Sequence, residues 1–165
     1  MSKIKNKTIL SLIMLLGVFA LIVAYFIQYV LKHQPCNLCL IERIPYIFSI
    51  VVISICLFTE KFEKLSLIIL SLIFFSATLI AFYHVGIEQG FIKESLACDL
   101  KIKSYDLTKE ALLNQLKDVP VSCKDITFKI VGLSLATFNI FINLILSVIT
   151  TKIFLSYEKK QIKIK

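Results

Sequence analysis

Residues 8–31 read TILSLIMLLGVFALIVAYFIQYVL, a run of 24 residues without a charged side chain. At about 1.5 Å per residue, a helix of this length measures about 36 Å and exceeds the ~30 Å hydrocarbon core of a bilayer. Three lysines precede the run, as in a signal peptide. The run is longer than a signal-peptide core, however, and Gln28–Leu31 offers no small-residue cleavage site. We therefore expect a retained transmembrane helix.

Three further apolar segments follow the first one. Hydrophobic residues make up 58% of the 165 residues, more than the roughly 45–50% that is usual in soluble domains. The segments also lack the alternation of apolar and polar residues that marks the strands of a membrane β-barrel. The sequence predicts an all-α integral membrane protein, a single domain over 1–165 built as a bundle of four transmembrane helices. The predicted spans cover residues 8–31, 40–59, 65–85 and 128–151.

The charged residues are distributed unevenly between the two sides of such a bundle. The net charge of +8 divides into +7 on the side that holds both termini and +1 on the side that holds the loops after the first and third spans. The positive-inside rule then places both termini in the cytoplasm. The basic composition is therefore a topology signal, and we expect no nucleic-acid partner.

The second outer loop, residues 86–125, is too long for a bare connector. Within it, apolar residues recur at helical spacing, which predicts a short amphipathic helix on the membrane surface. Asp106 or Thr108 is a suitable N-cap for that helix. The apolar positions are Leu107, Ala111, Leu112, Leu116 and Val119.

Four of the five cysteines fall on the predicted outer side, where an oxidising compartment permits disulfides. Cys36 and Cys39 form a Cys-x-x-Cys motif, whose spacing brings both sulfurs to the first turn of a helix. The helix N-terminus and Arg43, four residues beyond Cys39, both favour a thiolate there. The other two, Cys98 and Cys123, are 25 residues apart in the second loop.

These residues leave several interpretations open. The two pairs are compatible with static disulfides, although closing so short a ring as Cys36–Cys39 adds little stability. A zinc ribbon is disfavoured because the second Cys-x-x-Cys is missing. A membrane metal-binding protein that uses Cys36, Cys39 and His84 as soft ligands is the main alternative to a redox enzyme. Cys56, inside the second span, is predicted to be a small buried apolar residue.

The motifs resemble those of a known family over nearly the whole chain. The stretch QPCNLCLIER at 34–43 resembles the first periplasmic loop of DsbB-type disulfide bond formation proteins. The stretch YHVGIE at 83–88 resembles the end of the family's third span. VPVSC at 119–123 and GLS at 132–134 resemble its second cysteine loop and fourth span.

The resemblance implies a quinone-linked thiol oxidase of the bacterial inner membrane. Such proteins reoxidise a periplasmic, thioredoxin-like oxidase of the DsbA type and pass the electrons to ubiquinone or menaquinone. The product of the two activities together is the formation of disulfide bonds in periplasmic proteins. The active cysteines are accordingly expected on the periplasmic face.

The resemblance also implies a role for each outer cysteine. Cys98 is expected to form the mixed disulfide with the partner, and Cys123 is expected to be its companion. Electrons would then pass to the Cys36–Cys39 pair through a Cys36–Cys123 intermediate. Cys39 is expected to face the quinone.

Three further residues are implied at the quinone pocket. Arg43 is expected to stabilise negative charge beside Cys39. Glu42 and His84 are expected near the same pocket, although Glu42 is equally compatible with a simple pair to Arg43. Glu88 is expected to be structural. In the fourth span, Asn139 and Asn143 share a helix face and predict hydrogen bonds between helices.

Overall fold

The computed structural model describes residues 2–59, 63–93, 98, 122–124, 129–130 and 132–164. Within these residues, four helical segments are long and apolar enough to cross a membrane, which confirms the predicted four-helix bundle. A two-stranded ribbon is the one addition to the all-α prediction. The elements are α1 (Ser2–Tyr29), α2 (Asn37–Ile41), α3 (Ile44–Phe58), α4 (Glu63–Glu88), β1 (Lys129–Ile130), β2 (Leu133–Ser134) and α5 (Leu135–Ile164).

The first span ends two residues before the predicted boundary. Lys32 has a φ of 56°, in the left-handed region that terminates helices. The amide of His33 donates to the carbonyl of Ile27 at 3.2 Å, which satisfies one of the last carbonyls of α1. The chain therefore leaves the helix at Tyr29, ahead of the cysteine motif.

The second span consists of two helices, α2 and α3, separated by a short break. Pro45 lies in the first turn of α3 and has no amide hydrogen to donate to the carbonyl of Ile41. At the break, the amide of Arg43 donates a hydrogen bond to the carbonyl of Leu40, three residues earlier, at 3.2 Å. Glu42 and Arg43 consequently lie between two helices and not within one continuous helix.

The fourth span begins later than predicted, at Leu135 and not near residue 128. The reason is the short antiparallel ribbon that precedes it, in which Gly132 has a φ of 81°. Ser134 then caps the helix, because its Oγ accepts the amide of Thr137 at 3.3 Å. The ribbon pairs Lys129 with Ser134 and Ile130 with Leu133.

The third and fourth spans, α4 and α5, form the most extensive helix pair, and α3 packs against both α1 and α4. Their buried apolar side chains form one core toward the end of the bundle that holds both chain termini. Cys56 is 5% exposed within this core, so the prediction of a buried apolar residue is confirmed. Large apolar side chains such as Phe19 and Phe75 face outward, as expected for helices surrounded by lipid. The core includes Leu10, Ile13, Ile53, Leu67, Leu70, Phe74 and Leu146.

Two predictions are not tested by this architecture. The amphipathic helix expected over residues 107–119 lies outside the described residues. The assignment of 1–165 to a single domain likewise stays a prediction.

Candidate functional site

Cys36 and Cys39 meet at the first turn of α2, as the spacing of the motif predicts. Cys36 is the N-cap residue, and its Sγ accepts the amide of Cys39 at 3.3 Å. The two sulfurs lie 2.8 Å apart as a hydrogen-bonded pair of free thiols. The two sulfurs are therefore positioned by a hydrogen bond from the helix backbone to Cys36 and by their own contact.

Cys98 and Cys123 form a disulfide, with their Cα atoms 5.9 Å apart. Both belong to a buried cluster that also contains Cys36 and Ile87. The amide nitrogen of the Asn37 side chain donates to the carbonyl of Cys98 at 3.1 Å. The disulfide and the dithiol therefore lie at the same end of the bundle and are connected by a hydrogen bond and by packing in one cluster.

His84 connects the dithiol to a buried carboxylate. Its Nε2 lies 3.5 Å from Cys36 Sγ, and its Nδ1 lies 2.6 Å from Glu42 Oε1. His84 and Glu42 are only 2% and 7% exposed. Glu42, at the break between α2 and α3, lies in the bundle interior and pairs with His84. The simple Glu42–Arg43 pair is not what the structure contains.

A polar network from the fourth span supports this carboxylate. Asn139 donates through Nδ2 to Glu42 Oε2 and accepts the Tyr46 hydroxyl at 2.7 Å. Asn143 donates to the same hydroxyl at 3.2 Å. The predicted hydrogen bonding of the two asparagines between helices is confirmed. Tyr46 was not among the predicted site residues, because Ser49 and Ser54 in the same uncharged run also carry hydroxyls and nothing in the sequence singles Tyr46 out.

The environment of Cys36 favours its ionised form. The hydrogen bond from the Cys39 thiol lowers the pKa of Cys36 to about 5, although burial of the sulfur opposes ionisation. His84 adds a second hydrogen bond and its charge in the same direction. The lowered pKa favours the thiolate of Cys36, which is the form that attacks disulfides and binds metals.

Arg43 is held by the first span. Its Nη1 donates to Gln28 Oε1, and its guanidinium carbon lies 4.9 Å from the centroid of the Tyr25 ring. Gln28 and Tyr25 were not among the predicted site residues, because nothing in α1 itself shows which residues face the cysteine loop. Arg43 and Cys39 line the same cavity, so the predicted positive charge does lie at the dithiol site.

The cavity beside the dithiol has a volume of about 390 Å³. Its apolar wall comes from α1 and α5, with side chains such as Phe19, Phe138 and Ile142. Its polar end is formed by Cys39, Glu42, Arg43 and His84, among others. A cavity of this size, apolar with a few convergent polar groups, is typical of small-molecule sites.

Glu88 lies next to this site, and its expected structural role stays a prediction. Its side chain is 7% exposed, and its Oε1 lies 3.7 Å from His84 Nε2. Its Oε2 has no hydrogen-bond partner among the described residues. One ligand atom from each of Cys36, Cys39 and His84 lies within 4.8 Å of the others, so the ligands of the metal-binding alternative are also brought together.

Comparison with known proteins identifies the family. Residues 6–153 match the model of the family described as "Disulfide bond formation protein DsbB". The uncharacterized protein RP370 of Rickettsia prowazekii (strain Madrid E) is 27% identical over 146 residues, which cover 87% of this chain and 85% of the relative. No solved structure matches the chain.

Proposed function

The chain belongs to the DsbB family of disulfide bond formation proteins, and on this premise we propose that it oxidises a periplasmic DsbA-type dithiol and passes the electrons to a membrane quinone. Family membership and four spans make it a multi-pass membrane thiol–disulfide oxidoreductase. The observation that carries the finer proposal is the juxtaposition of the Cys98–Cys123 disulfide with the Cys36/Cys39 dithiol beside an apolar cavity.

The first exchange takes place at the Cys98–Cys123 disulfide. A thiolate of the thioredoxin-like partner attacks Cys98 Sγ, and Cys123 leaves as a thiolate. The second thiol of the partner then attacks the mixed disulfide, which releases oxidised partner and leaves two thiols on this chain. Because Cys98 is buried and bonded to Asn37, the partner must displace this contact to reach the sulfur.

The second exchange moves the same two electrons to the Cys36–Cys39 pair. With that pair oxidised, the Cys123 thiolate attacks Cys36 Sγ and Cys39 leaves, after which Cys98 attacks Cys123 and restores the outer disulfide. The burial of Cys36, Cys98 and Cys123 in one cluster supports this order of transfer. The Cys36–Cys39 pair is then reduced.

The cavity beside Cys39 fits a quinone ring. Its wall of α1 and α5 side chains suits an apolar ring that enters from the bilayer, and Arg43 offers positive charge to a ring oxygen. Ubiquinone or menaquinone bound there would accept two electrons and two protons. Cys39, Arg43, Glu42 and His84 are the residues that we expect to hold it.

His84 and Glu42 are suited to hold the proton that thiol chemistry releases. The carboxylate of Glu42 orients the imidazole through Nδ1, so that Nε2 faces Cys36 Sγ. Asn139 fixes the other carboxylate oxygen. The network therefore keeps one imidazole nitrogen within reach of the reacting sulfur, as a general base requires.

The test is quinone reduction by the purified full chain with a reduced thioredoxin-like partner, measured separately with ubiquinone and menaquinone. We expect Cys39→Ser to abolish turnover, and Arg43→Gln to raise the KM for quinone at least several-fold while the disulfides still form. Cys56→Ser is the matched control and should leave turnover unchanged, because Cys56 is in the apolar core outside the cysteine cluster.

Retained turnover in Cys39→Ser contradicts the proposed electron path. A dedicated metal-binding membrane protein is the second candidate, favoured by the proximity of the three soft ligands. It predicts metal binding but no turnover with either quinone.

A further inference from the structure

We propose that the reduced cysteine pair is a zinc site, in which Cys36, Cys39 and His84 bind Zn²⁺ and thereby withhold the dithiol from exchange. The proposal rests on the function proposed above, since it concerns the reduced state of that same site. Two thiolates and one imidazole are preferred zinc ligands, and their ligand atoms already lie within 4.8 Å of one another.

The distances suit tetrahedral coordination. A sulfur at about 2.3 Å and a nitrogen at about 2.0 Å from a tetrahedral zinc ion lie about 3.6 Å apart. Cys36 Sγ and His84 Nε2 are 3.5 Å apart, so these two ligands need no rearrangement. The two sulfurs must separate from 2.8 Å to about 3.8 Å, so zinc binding requires the Cys39 side chain to rotate.

The second nitrogen of His84 contacts a carboxylate, as the second nitrogen of a zinc-bound histidine often does. When Nε2 binds a metal, Nδ1 donates to a carboxylate or carbonyl that fixes the ring and raises its basicity. Glu42 occupies this position at 2.6 Å from Nδ1, and Asn139 in turn fixes Glu42. Glu42 and His84 therefore already have the carboxylate–histidine contact that is common in zinc sites.

Glu88 lies beside the three ligands and is a candidate for the fourth. Its Oε1 is 3.7 Å from His84 Nε2, but it is not among the ligand atoms that lie within 4.8 Å of one another, so its side chain must move to bind the metal. Its side chain is more than nine-tenths buried beside His84, and its Oε2 has no hydrogen-bond partner in the described part of the chain. A buried carboxylate oxygen without a partner is costly unless it binds a cation or accepts a hydrogen bond. A carboxylate in the ligand set also favours Zn²⁺ over the softer Cu⁺.

Binding and oxidation are mutually exclusive in this arrangement. Zn²⁺ takes the place of the thiol protons, and no electrons are transferred. The disulfide form of Cys36–Cys39 has no thiolate to offer, so only the reduced state binds. Zinc therefore inhibits the oxidase by trapping the reduced pair, and a chelator reverses the inhibition.

The experiment measures zinc affinity directly, by competition with a chromophoric chelator, on full-length protein carrying Cys98→Ala and Cys123→Ala. We expect one Zn²⁺ per chain in the reduced protein and none in the oxidised protein. Cobalt substitution should give thiolate-to-metal charge-transfer bands and the intense visible bands of tetrahedral Co²⁺. Cys36→Ser should remove both signals.

Two carboxylate variants keep the proposal falsifiable if Cys36→Ser fails to fold. Glu42→Gln should weaken zinc binding about 10–100-fold, as loss of such an outer carboxylate typically does. Glu88→Gln should weaken it at least about tenfold, whereas Glu158→Gln, which alters an exposed ion pair with Lys64, should not change it. Equal affinity in the oxidised and reduced protein, or in all three variants, overturns the proposal.

The quinone assay separates this inference from the function on which it rests. Turnover without reduced-state zinc binding overturns the zinc site alone. Zinc binding without turnover leaves the zinc site standing and overturns the proposed oxidase function.

Discussion

Cys36 is the residue at which most of the site's interactions converge. It caps α2, accepts a hydrogen bond from the Cys39 thiol and lies 3.5 Å from His84 Nε2. Its pKa is lowered because each of these contacts favours the thiolate and together they outweigh the burial of the sulfur. The Cys-x-x-Cys spacing predicts the capping geometry, but the contact with His84 depends on a residue 48 positions away.

The first prediction concerns the ionisation of Cys36. With a pKa of about 5, the thiol is protonated below pH 5 and a thiolate above it. Alkylation of Cys36 should therefore be nearly independent of pH above pH 6 and slow about tenfold for each unit below 5. The measurement is peptide-resolved mass spectrometry after iodoacetamide pulses, in metal-free detergent and in a Cys98→Ala/Cys123→Ala background.

The contribution of the Cys39 hydrogen bond to the low pKa of Cys36 can be tested separately. Cys39→Ala removes the hydrogen bond that contributes most, so the midpoint of the alkylation profile should move to higher pH. Cys39→Ser keeps a donor and should move it less. A midpoint that is the same in wild type and Cys39→Ala contradicts this account.

At the scale of the helices, the main feature of the site is the break between α2 and α3, where Glu42 and Arg43 lie. Pro45 prevents one continuous helix, and Glu42 turns inward to meet α4 and α5. The sequence predicts that Arg43 shares a helix face with Cys39, which assumes an unbroken helix. The structure places Arg43 at the short break, where its backbone keeps α-helical dihedrals and its side chain donates to Gln28 of α1. Arg43 and Cys39 still line the same cavity.

The second prediction tests the bond between α5 and the break. Asn139→Leu removes the donor to Glu42 Oε2 and the acceptor of the Tyr46 hydroxyl hydrogen, while Asn143 still donates to that hydroxyl. An unsatisfied buried polar group costs about 1–3 kcal/mol. We expect the free energy of unfolding to fall by that amount in an SDS titration followed by circular dichroism. Ser76→Ala is the control, since Ser76 is exposed and, among the described residues, donates only to the carbonyl of Ile73 in its own helix. Equal stabilities of the two variants would contradict the network's importance.

At the scale of the whole molecule, the reactive cysteines and the Lys64–Glu158 ion pair lie at opposite ends of the bundle. The described cysteines of the two pairs lie together with His84 at one end. The Lys64–Glu158 ion pair lies at the other, near the ends of α4 and α5 that adjoin the chain's basic tail. The orientation with the cysteines outside stays a prediction from the sequence charges, which divide into +7 on one side and +1 on the other.

The third prediction is this orientation. Fluorescent-protein fusions at residue 165 and between the second and third spans should be active, and alkaline phosphatase fusions at the same sites should be inactive, because both sites are expected in the cytoplasm. Phosphatase fused after Gly90 is the positive control. Replacing Lys3, Lys5 and Lys7 by Glu should weaken the bias. The opposite reporter pattern would show that the topology is inverted.

The sequence alone determined that four helices cross a membrane, which of their ends is basic, and that a Cys-x-x-Cys begins the second span. These properties are local: they depend on the length and polarity of a segment and on spacings within one helix turn. The pairing of Glu42 with His84, the supporting role of Asn139 and Tyr46, and the buried unpartnered oxygen of Glu88 were decided only by the tertiary structure. Such contacts depend on which helices are neighbours and how each is rotated, and segments that are apolar on every side carry no pattern that fixes that rotation.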